Sequence, residues 1–201
     1  MSIDMYSKQS EEEFREMMKR HGIWWHKFKD LWFCKFCHQE QYKDDSMPDY
    51  EIVIDGSAYL VECKQSEKYW NFADEDGVGI RTIQRQALNS WEAEHNFCFL
   101  FIVLGNGRVP KYRSAWLVPW TKWKIIETRL LEQGQRSLLR ETKRNQGALD
   151  LLKEWQVTWE EGGWTVPEGH DFWRLTGGIK YAKWEHSKPS RSKQIGFAEM
   201  V

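Results

Sequence analysis

Pro48-Asp49-Tyr50-Glu51-Ile52-Val53-Ile54-Asp55-Gly56-Ser57-Ala58-Tyr59-Leu60-Val61-Glu62-Cys63-Lys64 is the stretch that decides the fold. Tyr50–Ile54 and Ala58–Lys64 read as two strands, and Asp55-Gly56 between them is a pair favoured in the tight type I′ hairpin turn. A two-residue loop sets Ile54 opposite Ser57, and the same register sets Asp49 opposite Glu62, with Cβ atoms about 5 Å apart. A three-residue loop would set Asp49 opposite Cys63 instead. Facing carboxylates destabilise a sheet, so a compensating charge is expected, and a divalent cation is the natural one. Glu62 and Lys64, two apart in one strand, share a face. Two carboxylates and an ammonium then converge, an arrangement suited to metal-assisted phosphodiester hydrolysis. Hard oxygen ligands suit Mg²⁺, which acidifies bound water, and a lysine beside it orients or deprotonates the water, or stabilises developing charge.

The flanking segments supply an α/β frame. Ser10–Arg20 reads as a helix capped by Ser10, with Glu11, Glu12 and Glu13 in its first turn and Phe14, Met17 and Met18 on its apolar stripe. Ile23–Phe28 reads as an aromatic strand, and Gln65–Gly79 as a loop. Ile80–Glu94 is a helix with Ile83, Ala87, Leu88 and Trp91 on one face. The continuous apolar run Phe97–Leu104 fits a central strand buried on both faces, and Arg113–Val118 a further strand. This order predicts an α/β restriction-endonuclease-like fold, a small mixed sheet flanked by helices, with a helical, Trp-rich C-terminal extension. The expected division is a core over 1–119, a basic and Trp-rich extension over 120–186 and a polar, disordered tail over 187–201.

These residues resemble the PD-(D/E)xK nuclease superfamily, with Pro48-Asp49 and Glu62-Cys63-Lys64 as the motif and Holliday-junction resolvases of the archaeal and RecU types as the nearest look. The likeness runs from about Ser10 to Pro119. It implies that Asp49, Glu62 and the main-chain carbonyl of Cys63 hold Mg²⁺, for which Mn²⁺ substitutes, and that Lys64 serves the attacking water. It also implies a glutamate from the N-terminal helix and a glutamine from the helix after the second motif strand. Glu11, three before Phe14 and seven before Met18, fits the first, with Glu13 as fallback; Gln84 fits the second, with Gln86 as the alternative. The implied function is a Mg²⁺-dependent endonuclease acting on branched DNA in recombination or repair, as a homodimer, leaving 5′-phosphate and 3′-hydroxyl ends. The rival readings are a sequence-specific restriction-type or repair nuclease, and a nucleic-acid-binding module without catalysis.

Composition agrees with an intracellular protein. The chain has 201 residues, 29 Lys plus Arg against 30 Asp plus Glu, and 13 tryptophans. Neither a signal-peptide pattern nor a membrane-length apolar run is visible, and four cysteines do not make a disulfide framework. The near-zero net charge hides two patches. Residues 38–63 carry seven acids and one base, and residues 104–146 carry ten bases and three acids. Lys122, Lys124, Arg129, Arg136 and Arg140, interleaved with Trp116, Trp120 and Trp123, are the candidate DNA-binding residues; the alternative is a solvated amphipathic helix. Cys34, Cys37 and His38 form a CxxCH that could be half of a zinc site, with His26 as a further ligand, although two reduced thiols are the simpler reading.

Overall fold

The computed structural model describes residues 3–28, 31–33, 40–42, 48–67, 69–71, 80–95, 97–105, 113–135, 137–139 and 146–177. Its centre is a seven-stranded mixed sheet, built outward from the hairpin. β4 (Tyr50–Ile54) and β5 (Ser57–Ser66) pair antiparallel with Ile54 opposite Ser57. Asp55 and Gly56 carry the positive φ angles of 52° and 82° that the tight turn requires. β1 (Trp24–Lys27) lies on the outer side of β4, and β7 (Cys98–Leu104) runs parallel to β5 on the other side. The parallel step needs a crossover, which α2 (Thr82–His95) supplies. β8 (Ser114–Pro119), β10 (Gln156–Glu160) and β11 (Gly163–Thr165) complete the order β1-β4-β5-β7-β8-β10-β11.

Helices cover both faces. α1 (Ile3–Arg20) packs Phe14, Met17 and Met18 against Tyr50, Val61, Cys63, Phe99 and Phe101, with α5 (Asp171–Leu175) adding Phe172 and Trp173. On the opposite face, Leu88 of α2 joins Trp120, Trp123, Ile126 and Leu130 of α3 (Trp120–Glu132), and Leu152 of α4 (Gln146–Leu152), over Leu60, Leu100, Ile102 and Leu104. β7 is buried along its whole length and divides its side chains between the two cores, as the apolar run predicts. Two small ribbons, β2 (Leu31–Phe33) with β3 (Glu40–Tyr42) and β6 (Tyr69–Asn71) with β9 (Ser137–Leu139), lie outside the main sheet.

Several sequence expectations change here. Ser10 is not a helix cap: α1 begins at Ile3 and Ser10 is buried inside it, because nothing in positions 3–9 breaks a helix. The segment Gln65–Gly79 is not all loop, since β5 continues to Ser66 and β6 occupies Tyr69–Asn71. The C-terminal part carries helices but also β10 and β11, which extend the central sheet. Trp116, Trp120 and Trp123 are 2%, 1% and 0% exposed, so they are core residues of the α3 face and not a stacking surface. α3 is amphipathic, and its tryptophans are the side that meets the sheet. The CxxCH of Cys34, Cys37 and His38, the basic residues Arg136 and Arg140, and the tail 187–201 lie outside the described residues. Among the described residues no helix is long and apolar enough to cross a membrane.

Candidate active site

The site lies where two strands part company. β5 has ten residues and β4 five, so β4 pairs only with Ser57–Val61, while β7 stays paired with β5 through Ser66. Beyond Val61 the β4 side of β5 is therefore released from the ladder. Asp49, just before β4, fills the first vacated position: its Oδ2 accepts the main-chain N–H of Cys63 at 2.8 Å. In a strand the N–H and C=O of one residue point to the same side, so the Cys63 carbonyl also faces the Asp49 side.

Glu62 and Lys64 extend from β5 onto the face covered by α2. Lys64 Nζ lies 2.8 Å from Glu62 Oε1, and Gln84 Nε2 donates to the same oxygen at 2.6 Å. Gln84 is held at its other end, its Oε1 accepting the main-chain N–H of Arg81 at 3.2 Å. The first turn of α2 thus fixes the amide, and the amide fixes the carboxylate. Glu62 is 2% exposed, a depth at which an ionised carboxylate needs such partners. Burial pushes the Lys64 ammonium down, but the charges of Glu62 and Asp49 and the hydrogen bond it donates to Glu62 push it up by more, so its pKa is raised. Lys64 is accordingly a stable cation here. The Cys63 thiol on the opposite face is pushed far up by burial and by the carboxylates of Asp49, Glu11 and Glu62, so it is no nucleophile.

Glu11 reaches the same end of the sheet from the other side. Its Oε2 lies 2.5 Å from Lys27 Nζ, and its main-chain carbonyl accepts the Tyr50 hydroxyl at 3.0 Å. Lys27 pairs with Tyr50, and Tyr50 with Val61, so strand alternation puts Glu11 on the α1 face, across the sheet from Glu62. Glu13 is committed elsewhere: it accepts two bonds from Arg113, at 2.6 and 2.7 Å, and one from the Trp164 indole at 2.9 Å. Gln86 is exposed, facing away from Glu62.

The oxygen donors gathered at this end are the carboxylates of Asp49 and Glu62 and the carbonyl directed by Cys63. Among the described residues no group of three His, Cys, Asp or Glu side chains is arranged to hold a metal ion. Of the five basic residues singled out on the sequence, Lys122 and Arg129 are exposed on α3 seven positions apart. Lys124 lies 2.6 Å from Glu92 and within reach of Asn89. Sequence reasoning missed Lys27 and Arg81. Lys27 stands across the ladder from Tyr50, and the sequence marks it only as the end of a strand; Arg81 enters through the helix start, which no motif marks.

No family model and no curated protein matches the chain. Among solved structures it is similar to Hjc, a Holliday junction resolvase from the archaeal hyperthermophile Archaeoglobus fulgidus. The identity is 8% and the TM-score 0.37, over 58% of this chain and 74% of that one. The chemistry of the site therefore rests on its own geometry.

Proposed function

We propose that the chain is a Mg²⁺-dependent DNA endonuclease that hydrolyses phosphodiester bonds, with branched DNA as substrate and a homodimer as the working form. The observation that carries the reading is the convergence of Asp49, Glu62, Lys64 and Gln84 where β5 outruns β4. Two carboxylates and a carbonyl are hard oxygen donors, and Mg²⁺ is commonly held by one or two carboxylates while keeping water and phosphate as its other ligands. The donor set fits that ion, and Asp49, Glu62 and the Cys63 carbonyl would hold it. When bound, the ion supplies Lewis acidity towards the phosphate and lowers the pKa of a coordinated water.

The remaining work belongs to the protein. Gln84 and Lys64 both grip Glu62 Oε1, which orients that carboxylate without a large rearrangement. The raised pKa of Lys64 suits an ammonium that positions the water and stabilises charge on a phosphate oxygen; it does not suit a free base. Asp49 is positioned through Cys63 N–H, so its carboxylate is tied to the strand that carries Glu62. The branched substrate and the dimer follow from the resemblance of Pro48-Asp49 and Glu62-Cys63-Lys64 to resolvases, enzymes that cut two strands in symmetric positions.

The test is cleavage of linear, nicked, forked and four-way DNA with and without Mg²⁺ or Mn²⁺. Activity is expected only with metal, and Asp49→Ala, Glu62→Ala and Lys64→Ala are each expected to abolish it while the circular dichroism stays native. Full activity in EDTA, or in a folded Lys64→Ala variant, would overturn the site.

A further inference from the structure

β1 is an edge strand of the main sheet, and its two faces differ. Trp25 and Lys27 turn towards α1, where Trp25 makes an edge contact with Tyr50 at 6.0 Å. Trp24, His26 and Phe28 therefore turn to the opposite face. That is the face of Glu62, because Phe28 packs against the core that contains Leu60, and Leu60 and Glu62 alternate together along β5. Three aromatic rings thus form a row on the carboxylate side. Trp24 and His26 are parallel within 11° with centroids 6.3 Å apart, and His26 and Phe28 meet edge to face at 5.5 Å. The row points at the site: the Phe28 N–H donates to the main-chain carbonyl of Asp49 at 3.0 Å. Its far end is open, with Trp24 56% exposed, the most exposed large hydrophobic side chain among the described residues.

We propose that Trp24, His26 and Phe28 are a stacking platform for unpaired nucleobases of the DNA strand entering the carboxylate site. The inference rests on the nuclease reading and names the part of the substrate that this face receives. Trp24 and His26 are both open to solvent, and Trp, His and Phe are ring types on which unstacked bases lie. The repeat of the row, two strand residues or about 6.6–6.8 Å, spaces the rings along β1, with Trp24 and His26 parallel and Phe28 set edge-on beside the site. Glu51 stands across the ladder from His26, so the row itself repels phosphate and offers π-surface, not charge. Paired bases keep their faces inside the duplex, so the platform selects single-stranded arms, the feature that separates forked DNA from a linear duplex and from a junction whose arms are all paired. A second copy of this chain is the rival occupant. It is disfavoured because the row carries a polar imidazole at its centre and ends at the catalytic carboxylates.

The test uses the full chain and three fluorescent probes in EDTA, a single-stranded oligothymidine, a forked duplex and a blunt duplex of equal length. Trp24→Ala is expected to weaken binding of the single strand and the fork by about 5- to 150-fold, the range for losing one stacked base. Binding of the blunt duplex and the slope of affinity against salt should not change, because no phosphate contact is lost. Trp24→Phe should retain most of the affinity. Equal losses on all three probes, no loss on any, or a wild-type dimer that Trp24→Ala converts to a monomer in sedimentation would overturn the platform. Adding Mg²⁺ separates the two readings. If the wild type cuts DNA and Trp24→Ala behaves identically on every probe, the platform fails and the nuclease stands. If Trp24-dependent binding to single strands is present but nothing is cut with Mg²⁺ or Mn²⁺, the platform stands and the nuclease fails. A wild type that binds no probe ends both.

Discussion

Replacing Glu13 by alanine should unfold this protein far more easily than replacing Glu11, although the two lie two residues apart on one helix. Arg113 has no exposed side-chain surface, and Glu13 accepts from both of its terminal nitrogens at 2.6 and 2.7 Å. The Trp164 indole donates to the same carboxylate, and the guanidinium carbon lies 5.7 Å from the Trp164 ring centre. The Nε of Arg113 is already buried without a partner. Removing the carboxylate strands a buried cation and orphans an indole N–H, a loss of about 3–5 kcal/mol for such a broken pair. Against a typical domain stability of about 5–15 kcal/mol that is a large fraction. Glu11 pairs with Lys27, which is 35% exposed, so Glu11→Ala should cost no more than about 1 kcal/mol in stability. Urea denaturation at neutral pH reads both values, with the slope against urea checked for constancy. The double variant Glu13→Leu with Arg113→Met should recover most of the loss, because it removes both charges together. A Glu13→Ala protein within about 1 kcal/mol of wild type would refute the reasoning, and with it the assignment of Glu13 to structure.

Acid should loosen the join between α1 and β11. His21 Nε2 accepts the Val166 N–H at 3.0 Å and faces Thr165 Oγ1 at 3.1 Å, and burial, with Arg20 nearby, lowers its pKa to about 4. The unfolded chain takes up the proton near pH 6.5 and the folded one only near 4, so stability is full above about 6.5 and falls by roughly 3 kcal/mol as the pH drops to about 4. His21→Phe should abolish that slope in urea titrations over this window, and an unchanged slope would assign it to other groups. On α3, neutralising Lys122 and Arg129 together should flatten the salt dependence of DNA binding by about two units. Lys124→Ala should leave the slope alone, since Glu92 already holds its charge, and should lower stability instead. If only Lys124→Ala changes the slope, the phosphate-facing side of α3 is the one turned to α2.

Local physics made the hairpin and its register legible in the sequence. Asp55-Gly56 permits a tight turn, the turn sets Ile54 opposite Ser57 and Tyr50 opposite Val61, and the period of two puts Lys64 beside Glu62, whereas Asp49 precedes the paired residues and reaches the Cys63 N–H. The unbroken apolar run likewise announced β7 as the strand shared by two cores, since only burial on both faces tolerates it. The meaning of long-range partners was not written in any local pattern. Glu11 and Glu13 lie two apart in the middle of one helix, and only the packing of that helix on the sheet puts one beside Lys27 and the other on Arg113, a hundred positions away. The same holds for charge and for aromatic surface. Arg113 and Lys124 counted as parts of a basic patch until packing paired them, and Trp116, Trp120 and Trp123 read as part of the DNA-binding segment until β8 and α3 placed them in the core. Trp24, one aromatic among many in the chain, is open to solvent only because β1 lies at the edge of the sheet. Sequence alone determined what short-range geometry and burial period enforce, and the tertiary structure decided which distant charge neutralises which, because that depends on how strands and helices meet and not on spacing along the chain.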